Sequence, residues 1–226
     1  MANIQPVEEK KTFGDKFSLF LTKNRVWILG IIITLIVVAV VLAVVKVVST
    51  EAHQKGLTEL DSIVYNLTKT EEASLPAAKT EALEKITALA DKNSSNIVGL
   101  RAQMAAADIY FSNENWSEAR DAWLKATAID EKAYTASVCY YNAAVCSEEL
   151  NDTDSAITYY EKALAGEYCE FDTHILFSLG RLLESKSDFA GAAEKYNELK
   201  NSYPNNPWTD LAQSRLIALQ SENKIQ

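Results

Sequence analysis

Glycine and proline are scarce in this 226-residue chain, at 7 and 4. Collagen-like, loop-rich and disordered classes fit such a composition poorly. Histidine (2) and cysteine (3) are equally sparse and leave little material for a metal site or catalytic centre. No P-loop, GxSxG, HExxH or dinucleotide fingerprint occurs. A basic stripe, the footprint of a nucleic-acid binder, is missing: the net charge is −9. These absences predict no enzyme, no cofactor, no metal, no small-molecule substrate and no nucleic-acid partner. Apolar residues make up 48% of the chain, enough for a core.

The few reactive side chains read as structural. Cys139 and Cys146 are seven apart, about 10 Å along a helix and too far for a mutual disulfide. Cys169 is open to pairing with either, but small buried hydrophobes are the simpler reading. His53 and His174 lack partners at ligand spacing, and His174 is expected on a surface or in a groove. Tyr140-Tyr141 and Tyr159-Tyr160 fall at helical spacing in an acidic segment, as core rather than a base-stacking platform. Glu148-Glu149 is expected to be a solvated pair.

What the chain does have is one long apolar run. Val26–Val45 is 20 residues without a charge. At 1.5 Å per residue it covers about 30 Å, a bilayer's hydrocarbon thickness. It has no polar stripe of the kind a soluble helix needs, and Trp27 stands at one rim. A signal h-region is shorter, although Ser49–Ala52 offers a weak cleavage site and keeps removal of the segment open. Lys10, Lys11, Lys16, Lys23 and Arg25 precede the run, while only Lys46 and Lys55 follow closely. The positive-inside rule then places the N-terminus in the cytoplasm and residues 49–226 outside the cytoplasmic membrane. No lipobox-like cysteine lies near the N-terminus. Residues 1–50 carry six basic and three acidic side chains, the remainder 16 basic and 28 acidic. A weakly basic head and a strongly acidic body imply two environments.

Past residue 50, Ala, Leu, Glu and Lys dominate at helical spacing. Four segments resemble one another: EALEKITALA, EARDAWLKATA, SAITYYEKALA and GAAEKYNELK. Their shared small residues Ala82, Ala119, Ala156 and Ala192 are 37, 37 and 36 apart. Each follows another helical segment across a short link of Asn, Asp and Ser, residues that turn chains and cap helices. Leu179-Gly180, Phe189, Ala192, Tyr196 and Pro204 in the last unit resemble the tetratricopeptide-repeat (TPR) signature. Ala106-Ala107, Tyr110, Trp116, Ala119, Trp123 and Ala126 fit less completely, as do Ala143-Ala144, Ala156, Tyr160 and Ala163. Small residues at 107, 144 and 180 let paired helices approach, and Trp123, Tyr160 and Tyr196 fill the space between units. No unit buries its own apolar face, so stacking is required.

The fold class expected is therefore all-α: one transmembrane helix followed by an α-solenoid of antiparallel helix pairs. The parts expected are a cytoplasmic head (1–23), a transmembrane helix (24–48), and a lead-in helix with a degenerate unit (49–94). Three TPR-like units (95–204) and a capping helix (205–226) beginning at Pro207 complete the chain. The layout resembles the YfgM-type proteins, single-span with a periplasmic TPR domain and ancillary to the Sec translocon; the segment YPNNPWTDLAQSRL resembles unit ends of BamD- and CpoB-type proteins.

That resemblance implies an inner-membrane adaptor that binds other proteins, such as exported polypeptides or translocon and envelope subunits. Two alternatives are a structural component of an envelope or cell-division complex, and an organelle import receptor of opposite topology. Carrying the family's groove register over selects Arg101, Met104, Asp108 and Phe111 in the first unit. In the second it selects Val138, Tyr141, Val145, Glu148 and Glu149, and in the third His174, Phe177, Arg181 and Glu184. The set mixes aromatic anchors with charges, as peptide-binding grooves do.

Overall fold

The structure, a computed structural model, describes residues 12–69, 76–167 and 169–226. Glu8, Glu9, Lys10 and Lys11 of the head, the side chain of Lys16, and residues 70–75 of the lead-in lie outside the described residues. The chain divides into two units, Met1–Gln54 and Lys55–Gln226.

An unbroken apolar run has no polar face to turn toward water, and helix is the conformation that satisfies its backbone internally. α1 (Phe13–Lys69) accordingly carries the whole run and continues on both sides of it. Among the described residues it is the one helix long and apolar enough to cross a membrane, and none of its most apolar stretch is buried in protein. Thr22, Thr34 and Thr50 donate their hydroxyls to carbonyls four residues back, at 2.9, 2.9 and 2.8 Å, so these polar groups are satisfied within the helix.

Within Lys55–Gln226 the chain is helical throughout: the end of α1, then α2 (Pro76–Lys92), α3 (Ile97–Ser112), α4 (Trp116–Ile129), α5 (Ala136–Glu149), α6 (Thr153–Leu164), α7 (Asp172–Ser185), α8 (Phe189–Ser202) and α9 (Pro207–Ser221). Each helix packs chiefly on its sequence neighbours, and α9 also reaches α7. This nearest-neighbour packing is that of a solenoid. The four similar segments are the second helices α2, α4, α6 and α8. Their shared alanines are all buried.

The links repeat as faithfully as the helices. Asp152, Asp188 and Asn206 cap the helices that follow them through backbone N–H groups of Ser155 (3.2 Å), Gly191 (2.9 Å) and Trp208 (3.0 Å). Pro207 stands at the first turn of α9, where its missing N–H costs nothing. Within each unit the first helix ends in a left-handed residue: Glu114 (φ 60°), Asn151 (φ 57°) and Ser187 (φ 64°). The next N–H bonds back five residues, Asn115 to Tyr110 (3.0 Å), Asp152 to Ser147 (2.8 Å) and Asp188 to Leu183 (2.9 Å). These are Schellman turns, built here without the usual glycine.

Four apolar clusters run along the array. Leu57, Leu60 and Ile63 from the end of α1 join Ile86 and Leu89 of α2 and Val98 of α3 in one apolar cluster. Trp123, Tyr160 and Tyr196 form a series of buried rings at successive units. A Cβ added at Gly180 would strike the Tyr196 ring, which is the close approach expected of that glycine. In the last cluster Leu216 and Leu219 of α9 pack with Leu176 and Leu199.

Gly180→Ala is expected to lower stability by about 1–3 kcal/mol through overpacking. Glu114→Gly should raise it by up to about 1 kcal/mol by relieving a left-handed side chain. Urea unfolding of the detergent-solubilised chain, followed by far-UV dichroism, measures both.

Candidate functional site

Twelve of the thirteen groove residues occupy four equivalent positions on α3, α5 and α7. The rows are Arg101, Val138, His174; Met104, Tyr141, Phe177; Asp108, Val145, Arg181; and Phe111, Glu148, Glu184. Steps of three, four and three put them on one helix face. Glu149 falls outside these rows and is fully in solvent.

The structure joins the α5 and α7 positions into an aromatic chain. Tyr141 stacks on Phe171 (centroids 4.4 Å apart) and meets His174 edge-on at 5.5 Å. A hydrogen bond joins the Tyr141 hydroxyl to His174 Nδ1 at 3.2 Å. His174 meets Trp208 of α9 at 4.6 Å, and Trp208 tilts against Phe177 at 5.3 Å. Burial lowers the pKa of His174 from the usual 6.5 and outweighs the pull of Glu148 in the other direction. Tyr141 and Phe177 are half-buried, so much of each ring supports the array. Phe171 and Trp208 were not selected by register, since one lies in a link and the other in the capping helix.

The acidic row behaves differently from the solvated pair expected. Glu148 is half-buried: it accepts from the Tyr160 hydroxyl at 2.8 Å and pairs with Arg181. Glu184 repeats the arrangement, accepting from the Tyr196 hydroxyl at 2.6 Å and from Arg215 Nε at 3.1 Å. Each glutamate thus ties the second helix of its own unit to the first helix of the next. Desolvation raises the pKa of both phenols, so they remain protonated donors. The sequence did carry a signal for this: Glu148 and Tyr160, like Glu184 and Tyr196, are twelve residues apart. At the matching place in the first unit stand Phe111 and Trp123, and the buried Trp123 indole N–H has no partner.

The α3 positions make no part of this network. Arg101 reaches Asp61 of α1 at 3.5 Å, with both side chains about half exposed. Phe111 packs edge-on against Trp116 at 4.9 Å. Met104 and Asp108 line an open recess of about 370 Å³ with Leu60, Asp61, Val64 and Tyr65.

The cysteines are held as thiols. Burial pushes the Cys139 thiol up to about 12 and the Cys146 and Cys169 thiols to about 11, so all three stay protonated. All three are free; Cys169 is only half-buried. Among the described residues no cluster of His, Cys, Asp and Glu could hold a metal ion.

Residues 147–207 match the tetratricopeptide-repeat family. Over that segment the chain carries tetratricopeptide repeats. A TPR repeat-containing protein of Treponema pallidum is 32% identical over 118 residues, 52% of this chain and 49% of that protein. The chain therefore spans about half the length of that curated relative. A TPR protein from Parabacteroides merdae superposes with a TM-score of 0.59 at 17% identity, over 74% of this chain and 61% of that one. Pseudomonas aeruginosa pilF superposes with a TM-score of 0.53 at 17% identity, over 73% of this chain and 68% of that one. Both structural likenesses concern the fold alone. TPR domains bind other proteins, which makes a surface of stacked first helices, rather than a catalytic pocket, the place to look for activity.

Desolvation alone would raise the pKa of Glu184, but the hydrogen bonds from Arg215 and Tyr196 outweigh it and hold the carboxyl below the ordinary 4.5. A depressed pKa means that the ionised group stabilises the fold above pH 4.5 and loses that contribution as pH falls through the folded-state value. Glu184→Gln should therefore cost about 1 kcal/mol at neutral pH, allowing for solvent screening. The gap from the unsubstituted chain should shrink below pH 4.5. Urea midpoints of both proteins across the acid range measure it; a gap independent of pH would assign Glu184 a packing role only.

Proposed function

We propose that this chain is a membrane-tethered TPR scaffold. The apolar part of α1 holds it in the cytoplasmic membrane with the N-terminus inside. The first-helix face of the repeats binds exported or envelope polypeptides on the outer side, in the manner of the YfgM-type proteins it resembles. The observation that supports this most directly is the pairing of one uncovered apolar helix with an acidic repeat array. The excess of cations before residue 26 supports the orientation. The mixed aromatic and charged rows on α3, α5 and α7 support the choice of face.

Two measurements test the reading. Protease added to intact spheroplasts of a bacterial host should digest residues 49–226 and spare an N-terminal tag. Mass analysis of the mature chain should retain residues 1–48. Photocross-linking groups at the exposed positions 149 and 181 should capture other proteins, while the same group at 125 or 161, on the second helices, should capture few. Capture confined to 125 and 161 would favour the structural-component alternative. Digestion of the N-terminal tag alone would favour the opposite topology.

A further inference from the structure

We propose that the recess between the end of α1 and α3 takes up a basic side chain, Lys or Arg, of a bound polypeptide, with Asp108 as its counter-ion. This rests on the reading of the first-helix face as a polypeptide-binding surface, and it names the partner chemistry for one end of that face.

At the place where α5 and α7 carry Tyr141 and Phe177, α3 carries the slimmer Met104, which lines the recess. The recess measures about 370 Å³, and a second hollow of about 300 Å³ shares Val64, Ala105 and Asp108 with it. Among the described residues Asp108 makes no hydrogen bond or ion pair, although its counterpart Arg181 is paired with Glu148. Arg101 lines the recess and is paired with Asp61 at 3.5 Å, Lys79 beside the second hollow donates to Asn113 Oδ1 at 3.2 Å, and Lys69 lies over the Tyr65 ring. The recess walls partly desolvate the Asp108 carboxylate and raise its pKa even though the residue is exposed by area. An incoming cation offsets that cost by direct pairing.

The walls suit the rest of such a side chain. Val64 and Met104 offer apolar surface to an aliphatic stem, as amphipathic basic residues require. Tyr65 is 52% exposed, and the Lys69 ammonium lies 4.4 Å from its ring centroid, an intrachain cation–π contact that an incoming cation displaces. The charge of the array is complementary too: residues 51–226 hold 28 acidic against 16 basic side chains, which favours approach of a cationic segment.

Methionine supplies the readout, because Met1 and Met104 are the two in the chain. The full chain, carrying 13C in its methionine methyls, is placed in nanodiscs of neutral phosphatidylcholine. It is titrated with a short Gly-Ser peptide bearing Leu-Lys-Leu at its centre, and separately with the Leu-Glu-Leu counterpart. The Lys peptide should shift the Met104 methyl and leave Met1 unmoved, and should bind at least about tenfold more tightly than the Glu peptide. Asp108→Asn, an isosteric change at an exposed and unpartnered side chain, should weaken the Lys peptide by about tenfold without altering far-UV dichroism. An unmoved Met104, equal affinity for the two peptides, or unchanged binding to Asp108→Asn each overturns the proposal. If the peptide moves the Trp208 indole resonance but not Met104, the first-helix face still binds polypeptides and the recess is not where the cation goes. Cross-links from 181 in a protein that ignores both peptides separate the two in the same sense.

Discussion

The array depends on a ring lodged between helices. Trp123, Tyr160 and Tyr196 are each driven from a second helix into the space between the first helix of the same unit and the helix that opens the next, and all three are buried. Room for the ring requires a small residue opposite, and at Gly180 even a methyl group has no space. Burying an aromatic side chain of this size contributes a few kcal/mol, but it brings a polar atom into the interior that must be satisfied. In two units a glutamate takes the phenol's hydrogen bond and is itself held by an arginine from the following unit. The packing requirement thus generates the charge network, which joins each unit to the next.

Most of the fold was legible in the sequence because it is periodic at two levels. Helical spacing gave the elements, and the interval between Ala82, Ala119, Ala156 and Ala192 gave the units. Asn, Asp and Ser in the links identified the turns, and the structure uses Asp152, Asp188 and Asn206 as caps. Harder to see was that head, apolar run and lead-in share one helix. Nothing between Phe13 and Lys69 breaks a helix, and a change from apolar to polar sequence is not a change of backbone conformation, so hydropathy boundaries need not be helix boundaries.

The candidate surface was legible in register but not in chemistry. Family register found the rows on α3, α5 and α7, and α9's Trp208 escaped it because a capping helix was not read as supplying the fourth row. Glu148 was read as solvated because a charge near a helix end usually is. Its burial follows from Tyr160 and Arg181, which come from two other helices and cannot be inferred from the neighbours of Glu148 in the chain. The open recess beside α3 was equally hidden: a cavity is defined by what two elements fail to fill, and single-residue patterns carry no record of that.

The glutamate network has a polarity. Every link in it points forward, so a unit is finished by its successor, and α9 supplies Arg215 as the last donor as well as packing in the last cluster. Removing that helix would strand a buried carboxylate, whereas duplicating α7 and α8 would insert a module whose own Arg181 answers the preceding Glu184. Such an array can lengthen by copying its third module and cannot be shortened from its C-terminal side without leaving an unmatched charge.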